Sequence, residues 1–128
     1  MVRKHITIAV LLMIILATIG IGSFVFSQDV EIVIYVSNQS FEKDPADIKV
    51  YIDGNLKIED EYHVRSAHNW TRYTFSVNFG RHEIKVVCEN NSLKTVEDSW
   101  FTSKRYVVIN HFTELIDIQI MDNQPEFQ

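Results

Sequence analysis

The sequence has 128 residues, 46% of them hydrophobic, and its 12 Lys and Arg against 17 Asp and Glu give a net charge of −5. Nucleic-acid binding needs clustered Lys and Arg, so this acidic balance argues against a nucleic-acid partner. Once an apolar first segment is set aside, roughly 100 residues remain, enough for one domain with one core.

The beginning of the chain differs from the rest in composition. Residues 6–26 contain no charged side chain, and they form an apolar run of 21 residues. A run of about 20 residues can cross a bilayer as a helix. A secretory signal instead has a shorter apolar core and a small-residue cleavage site, which Ser27 before Gln28 would provide. The sequence predicts either a transmembrane anchor or a cleaved signal peptide in residues 1–27, and both readings stay open.

The charges at the start of the chain predict its orientation. Arg3 and Lys4 precede the apolar run. Positive residues favour the cytoplasmic side, so residues 28–128 are expected on the far side of the membrane. The predicted location is therefore the cell membrane with the amino terminus inside, or the secreted fraction after cleavage. The membrane is a partner, through residues 6–26, if the segment is retained.

From residue 28 onward, apolar and polar residues alternate, which is typical of half-buried strands. This part keeps all 17 acidic side chains and 10 basic ones, a formal charge of −7. Eight strands are predicted, around residues 30–36, 48–52, 56–58, 73–79, 84–88, 93–100, 106–109 and 116–120. The segment 106–109 is apolar on both faces, which predicts a central strand.

Several short segments are predicted to separate these strands. Asp53-Gly54-Asn55 provides the positive-φ residues of a tight hairpin. The acidic triplet of residues 59–61 is expected to interrupt the third strand. Gly80-Arg81-His82 predicts another turn, and the tail of residues 122–128 is expected to be loosely held.

This spacing of strands and turns predicts the fold class. About eight short strands, with a turn every 8 to 12 residues and no amphipathic helix, indicate an all-β, antiparallel, immunoglobulin-like β-sandwich preceded by one hydrophobic helix. The predicted organisation is residues 1–27 as signal peptide or anchor, and residues 28–128 as an extracytoplasmic domain.

The candidate chemical groups do not form a recognisable catalytic or metal site. Cys88 alternates with apolar residues and is expected to be buried. No short ligand spacing typical of zinc joins the histidines, and residues 59–61 lack the alternation of a calcium loop. We therefore predict no catalytic residue, metal or cofactor. A hydrolase would become plausible if His63, His68 and an acidic side chain met in a deep pocket.

The tryptophans support a second hypothesis about function. Exposed indole faces can stack on sugar rings, and Trp70 follows His68 and Asn69, whose polar groups could bind hydroxyls. These three residues are the candidate ligand-binding set. The competing expectation is that Trp70 and Trp100 both close the ends of the sandwich core.

Two stretches carry a resemblance to a known family. Residues 48–55 read Ile-Lys-Val-Tyr-Ile-Asp-Gly-Asn, and residues 79–86 read Phe-Gly-Arg-His-Glu-Ile-Lys-Val. A strand that ends in Asp-Gly and a later Gly-x-His turn resemble PEGA-type and related small surface β-sandwich modules. The resemblance implies a non-catalytic envelope module, in which Gly80 and His82 form a structural turn with the histidine bonded to backbone.

The sequence thus predicts a non-enzymatic extracytoplasmic protein with a binding or structural role at the cell envelope. Its partner would be a protein or a glycan at the cell surface. The alternative is a carbohydrate-binding module that uses the aromatic residues near Trp70.

Overall fold

The computed structural model describes residues 2–26, 28–64 and 69–127. Within these residues, a helix and eight strands follow one another. They are Val2–Phe26 (α1), Asp29–Asn38 (β1), Ala46–Ile52 (β2), Asn55–Tyr62 (β3), Thr71–Asn78 (β4), Gly80–Cys88 (β5), Leu93–Phe101 (β6), Arg105–His111 (β7) and Ile116–Met121 (β8). A single 3₁₀ turn, Glu89–Asn91, follows β5.

Helix α1 contains the apolar segment seen in the sequence. Its stretch Val2–Phe24 is long and apolar enough to cross a membrane, and the most apolar 18 residues of this stretch are not buried against the rest of the protein. A helix that is apolar on every face needs an apolar environment on every face. The helix is therefore compatible with a membrane span or a signal sequence.

The eight strands form two four-stranded sheets, and the predicted sandwich class is confirmed. The first sheet has the order β4-β1-β7-β8, and the second has the order β3-β2-β5-β6. Strand β7 lies between β1 and β8, as its two apolar faces predicted. All neighbouring strands pair antiparallel except β1 and β7, which are parallel from Ile32↔Arg105 to Asn38↔His111. This parallel pair was not predicted.

The hydrophobic core lies between the sheets and follows the alternation of the sequence. Its largest fully buried members come from inward-facing strand positions. They include Ile32, Ile34, Ile48, Ile84, Phe101 and Ile109. Burying these side chains is the main stabilising term of the fold.

Two segments of the second sheet test the predicted turns. The hairpin between β2 and β3 is confirmed, with φ of 51° at Asp53 and 79° at Gly54. Positive φ at both central residues is the type I′ geometry that matches strand twist. The predicted interruption at residues 59–61 is wrong, because β3 runs unbroken to Tyr62. Strand β3 is an edge strand whose acidic side chains face solvent, so they do not oppose pairing.

The outer face of the first sheet also has an apolar centre. Val33, Tyr35 and Val108 are buried there, outside the main core. Phe127 covers part of this cluster, with its ring 5.0 Å from that of Tyr35 in an edge-to-face contact. The tail was predicted to be loosely held. This is wrong at Phe127, because its ring packs against Tyr35 and Trp70 on the apolar outer face of the first sheet.

The strand directions give the sandwich two distinct ends. Two residues separate the end of α1 from the start of β1, and β7 runs parallel to β1. The connections of residues 39–45, 89–92 and 112–115 therefore lie at the end opposite the start of β1. We call these three connections the distal end.

Candidate functional site

Trp70 lies just before β4 and is only half-buried, on the outer face of the first sheet. Its indole stacks on Phe127, with ring centroids 4.1 Å apart and planes 19° from parallel. Its Nε1–H donates to Oδ1 of Asn110 at 2.9 Å. The indole thus has a structural role in closing the outer apolar cluster, and one of its faces is already covered.

The other two members of the predicted ligand-binding set differ from Trp70. His68 lies outside the described residues. Asn69 is exposed and lines a cleft of about 290 Å³ between the end of β3 and the start of β4. The described residues that line it are Asn38, Glu61, Tyr62, His63, Asn69 and Thr71.

The chemistry of this cleft is polar. Glu61, His63, Asn69 and Thr71 bring a carboxylate, an imidazole, an amide and a hydroxyl to one opening. His63 Nδ1 lies 3.4 Å from Oδ1 of Asp44, so a carboxylate already faces the imidazole. The cleft can hydrogen-bond a small polar ligand, and it offers no activated nucleophile among its described residues.

Trp100 lies in a different environment from the one its sequence predicted. It was expected to close the core, but 57% of its surface is exposed. Its neighbour Phe101 is fully buried, so the alternation of β6 directs Trp100 to the outer face of the second sheet. Arg81 of β5 lies directly opposite Trp100 in the antiparallel β5–β6 pair. Its guanidinium forms an ion pair with Asp98 at 3.1 Å. An exposed indole beside polar groups can stack on a planar or apolar ligand face, and the sequence alone did not distinguish it from a core residue.

A buried polar network supports the distal end. Asn38, at the end of β1, is 3% exposed and uses both amide atoms. Its Nδ2 donates to the carbonyl oxygens of Lys43 at 2.8 Å and Tyr62 at 3.1 Å. Its Oδ1 accepts from Ser40 N at 3.0 Å and from His111 Nδ1 at 2.9 Å. One buried amide therefore joins β1, β3, β7 and the connection that follows β1.

His111 is the second centre of this network and is fully buried. Asn91 Nδ2 donates to its Nε2 at 2.9 Å, and also to the carbonyl oxygen of Thr113 at 3.2 Å. Because Nε2 accepts, the proton of the neutral ring lies on Nδ1 and is donated to Asn38. Burial lowers the pKa of His111, although the charge of Asp47 opposes the shift. The network thus contains a neutral histidine and joins all three connections of the distal end through Asn38 and Asn91.

Three large apolar side chains on the connections that this network joins are exposed. Phe41 is 81% exposed, Leu115 52% and Phe112 41%. The connections that carry them are in direct contact, since the hydroxyls of Ser40 and Thr113 are 2.7 Å apart. We call Phe41, Phe112 and Leu115 the apolar tip. These three residues were not predicted as a site; the available signal was an apolar residue within an otherwise polar connection.

Cys88 is buried, as predicted. Its thiol lies 2.9 Å from Oδ1 of Asn90 and 3.6 Å from Oδ1 of Asp47. Burial and the nearby charge of Asp47 raise the pKa of the thiol to about 11. A protonated, fully buried thiol is a poor nucleophile.

His82 closes the turn between the two sheets. Its Nε2 lies 2.6 Å from the carbonyl oxygen of Asn78, the backbone bond that the family resemblance implied, and its Nδ1 lies 2.5 Å from Oδ2 of Asp53. Partial burial would raise the pKa of Asp53, but hydrogen bonds from His82 and the Glu83 N–H outweigh it, and the pKa lies below its usual value. The arrangement ties the β2–β3 hairpin to β5.

Lys49 provides a positive charge beside the acidic residues at the β3 edge of the second sheet. Lys49 Nζ lies 2.8 Å from Glu89 Oε1 and 3.7 Å from Glu59 Oε1. These hydrogen bonds and charges raise the pKa of Lys49, with the bond to Glu89 as the largest cause. No group of three or more potential metal ligands comes together within residues 2–26, 28–64 and 69–127. The edge is therefore best described as a solvated, partly neutralised surface.

Comparison with known proteins gives little further information. No protein-family model matches the sequence, and no curated protein matches it. Among solved structures, the chain is similar to one described as "Crystal Structure of Gram Negative Toxin", with 12% identity and a TM-score of 0.35. The match covers 77% of this chain and 24% of that chain, so this chain spans about a quarter of the other's length. A similarity this distant contributes nothing to the assignment of function.

Proposed function

We propose that this protein is a non-catalytic binding domain outside the cytoplasm, held in the cell membrane by α1. Its binding surface is the distal end of the sandwich. The positively charged head lies in the cytoplasm, and the distal end faces away from the membrane. The protein would bind its partner non-covalently at the cell envelope.

The proposal is based on the length of the apolar helix and on its position directly before the sandwich in the chain. The apolar stretch Val2–Phe24 has 23 residues, longer than the apolar core of a secretory signal, which is about 7 to 15 residues. Only residues 27 and 28 separate α1 from β1, so the sandwich lies close to the membrane if α1 spans it. Strand β1 then leads away from the membrane to the exposed apolar tip.

Mass spectrometry of the mature chain, combined with alkaline extraction of membranes, tests the anchor. We expect the intact chain in the membrane fraction, resistant to extraction. A mature chain that starts at Gln28 would show that α1 is a cleaved signal sequence and that the sandwich is secreted, which would contradict the anchor. An intact chain in the soluble cytosolic fraction would contradict export altogether.

Carbohydrate binding is the second candidate function, and the exposure of Trp100 favours it. The apolar C–H face of a pyranose ring could stack on this indole, with Arg81 and Asp98 beside it for the hydroxyls. The cleft next to Asn69 offers a second polar surface, whereas the face of Trp70 that stacks on Phe127 would have to be uncovered first.

Paired tryptophan variants separate this candidate from a structural role. On immobilised cellulose, chitin and starch, Trp100→Ala should abolish retention and leave the urea unfolding midpoint unchanged. Trp70→Ala should instead lower the midpoint, because it removes a packed ring and a hydrogen bond. If the unaltered protein is not retained on any of these polysaccharides, the carbohydrate candidate fails.

A further inference from the structure

The apolar tip is an unusual feature for a surface that faces water. Phe41, Phe112 and Leu115 expose 81%, 41% and 52% of their surfaces. Single exposed apolar residues are common, but a group of large ones on adjoining connections is typical of an interaction surface. The tip is separate from the outer apolar cluster of the first sheet, which Phe127 covers.

Hydrogen bonds join the two connections that carry the tip. Ser40 Oγ contacts Thr113 Oγ1 at 2.7 Å and accepts from the Lys43 N–H at 3.2 Å. Asn38 Nδ2 donates to the Lys43 carbonyl oxygen, and Asn91 Nδ2 donates both to His111 Nε2 and to the Thr113 carbonyl oxygen. A surface held in place before binding loses little conformational entropy on binding. These contacts therefore favour a preformed docking surface over a mobile one.

The charges next to the tip indicate what kind of partner it fits. Glu42 and Glu114 are sequence neighbours of tip residues, and Asp44 follows two residues later with His63 beside it. Lys43 is the one basic residue in the same connections. Glu42 and Glu114 are both exposed, and we call them the acidic rim. Exposed apolar side chains with acidic neighbours are complementary to a surface with apolar and basic side chains. The acidic rim also disfavours anionic lipid headgroups.

We propose that the distal end binds a cationic amphipathic segment of another protein. The apolar side chains of that segment contact Phe41, Phe112 and Leu115, and its Lys or Arg side chains contact Glu42 and Glu114. This inference rests on the proposed function, in which the distal end is the binding surface. Binding by the purified chain does not depend on where the chain is located, so the two proposals can fail separately.

The test uses the full chain in phosphatidylcholine nanodiscs, with empty nanodiscs as the blank. The probe is a synthetic amphipathic peptide of Leu and Lys, and the control peptide replaces every Lys with Glu. We expect saturable binding of the Leu/Lys peptide, weakened by salt, and no binding of the Leu/Glu peptide. Binding of both peptides with equal affinity, or of neither, would overturn the proposal.

Three variants locate the binding surface. Phe41→Ser and Glu114→Gln change the tip and its rim, and Trp100→Ser is the matched control on another exposed face. Loss of an interface aromatic costs more than about 1 kcal/mol at binding hot spots, so Phe41→Ser should weaken binding at least about fivefold. Glu114→Gln should weaken binding and reduce its salt dependence. If Trp100→Ser weakens binding as much as Phe41→Ser, the tip is not the docking surface.

Discussion

Two buried residues, Asn38 and His111, are hydrogen-bonded to the connections of the distal end. Both contribute polar groups to an apolar interior, which is unfavourable unless every group finds a partner. Asn38 satisfies this condition with four hydrogen bonds, two to backbone carbonyls and one each to Ser40 and His111. The network therefore stabilises one arrangement of the connections rather than adding to the core.

Replacing Asn38 tests the importance of this network. Asn38→Ala removes four hydrogen bonds and leaves buried donors and acceptors without partners. Each such group costs about 1 to 3 kcal/mol, so we expect a loss of about 3 kcal/mol in the free energy of unfolding. Urea denaturation followed by circular dichroism measures it. The exposed Asn123→Ala is the control and should change stability by less than about 0.5 kcal/mol; an equal effect of both would contradict the role of the network.

His111 should make stability depend on pH. Burial lowers its folded-state pKa below the usual 6.5, so the unfolded chain binds the proton more readily. The contribution of His111 is therefore complete above about pH 6.5 and is lost as the pH falls from there towards the folded-state pKa. Asp53 acts in a separate window, because its lowered pKa affects stability only at more acidic pH.

Urea denaturation between pH 7.5 and 5 measures this effect. The unaltered protein should become less stable as the pH falls below 6.5, and His111→Gln should flatten the curve. His63→Gln is the control, because His63 is half exposed and lies outside the network. An unchanged slope in His111→Gln would show that other groups cause the pH dependence.

Some of these residue roles were readable from the sequence and others were not. The alternation with Ile84 and Val86 placed Cys88 in the core, which the structure confirms. Trp100 lies on the outward face of β6. Both faces of β6 mix apolar and polar residues, so alternation in the sequence did not show on which face Trp100 lies. The environment of His111 depends on residues up to 73 positions away in the chain, which no local pattern reveals.

The segment that follows β8 covers part of the outer face of the first sheet. Strand β1 is buried on both of its faces over much of its length, including Val33 and Tyr35 on the outer side. Trp70 and Phe127 cover that side, and Arg105 pairs with Asp122 where the segment leaves β8. The continuous apolar run of β1 is therefore explained by two buried faces.

Removing the ring of Phe127 tests this cover. Phe127 is 38% exposed, so Phe127→Ala should lower the free energy of unfolding by about 1 to 2 kcal/mol through lost stacking and burial. The intrinsic fluorescence should change as well, because the indole of Trp70 loses its neighbour. Phe41→Ala, at an exposed site, is the control and should leave both quantities nearly unchanged. Equal effects of the two variants would contradict a covering role.

The elements themselves were largely predictable because their signals are local. Asp53 and Gly54 marked the hairpin, since few other residues tolerate positive φ. The acidic triplet of β3 was misread because composition does not distinguish an interrupted strand from an edge strand that faces solvent. The parallel pairing of β1 and β7 joins residues about 70 positions apart, and such pairing is decided by packing of the whole sandwich.

We propose that the apolar helix places the sandwich outside the cytoplasm, with its distal end available to a partner. Cysteine labelling with a membrane-impermeant maleimide can locate the distal end directly. The native Cys88 is fully buried and its pKa is raised, so it should stay unlabelled in the folded protein. Introduced cysteines then report their own location.

Labelling of Glu114→Cys in intact spheroplasts measures on which side of the membrane the distal end lies. Glu114 is exposed at the distal end, whereas Val2, at the start of α1, is expected on the cytoplasmic side. We predict that Glu114→Cys is labelled before lysis and that Val2→Cys is labelled only after lysis. Labelling of Glu114→Cys only after lysis would contradict the extracytoplasmic location and the function built on it.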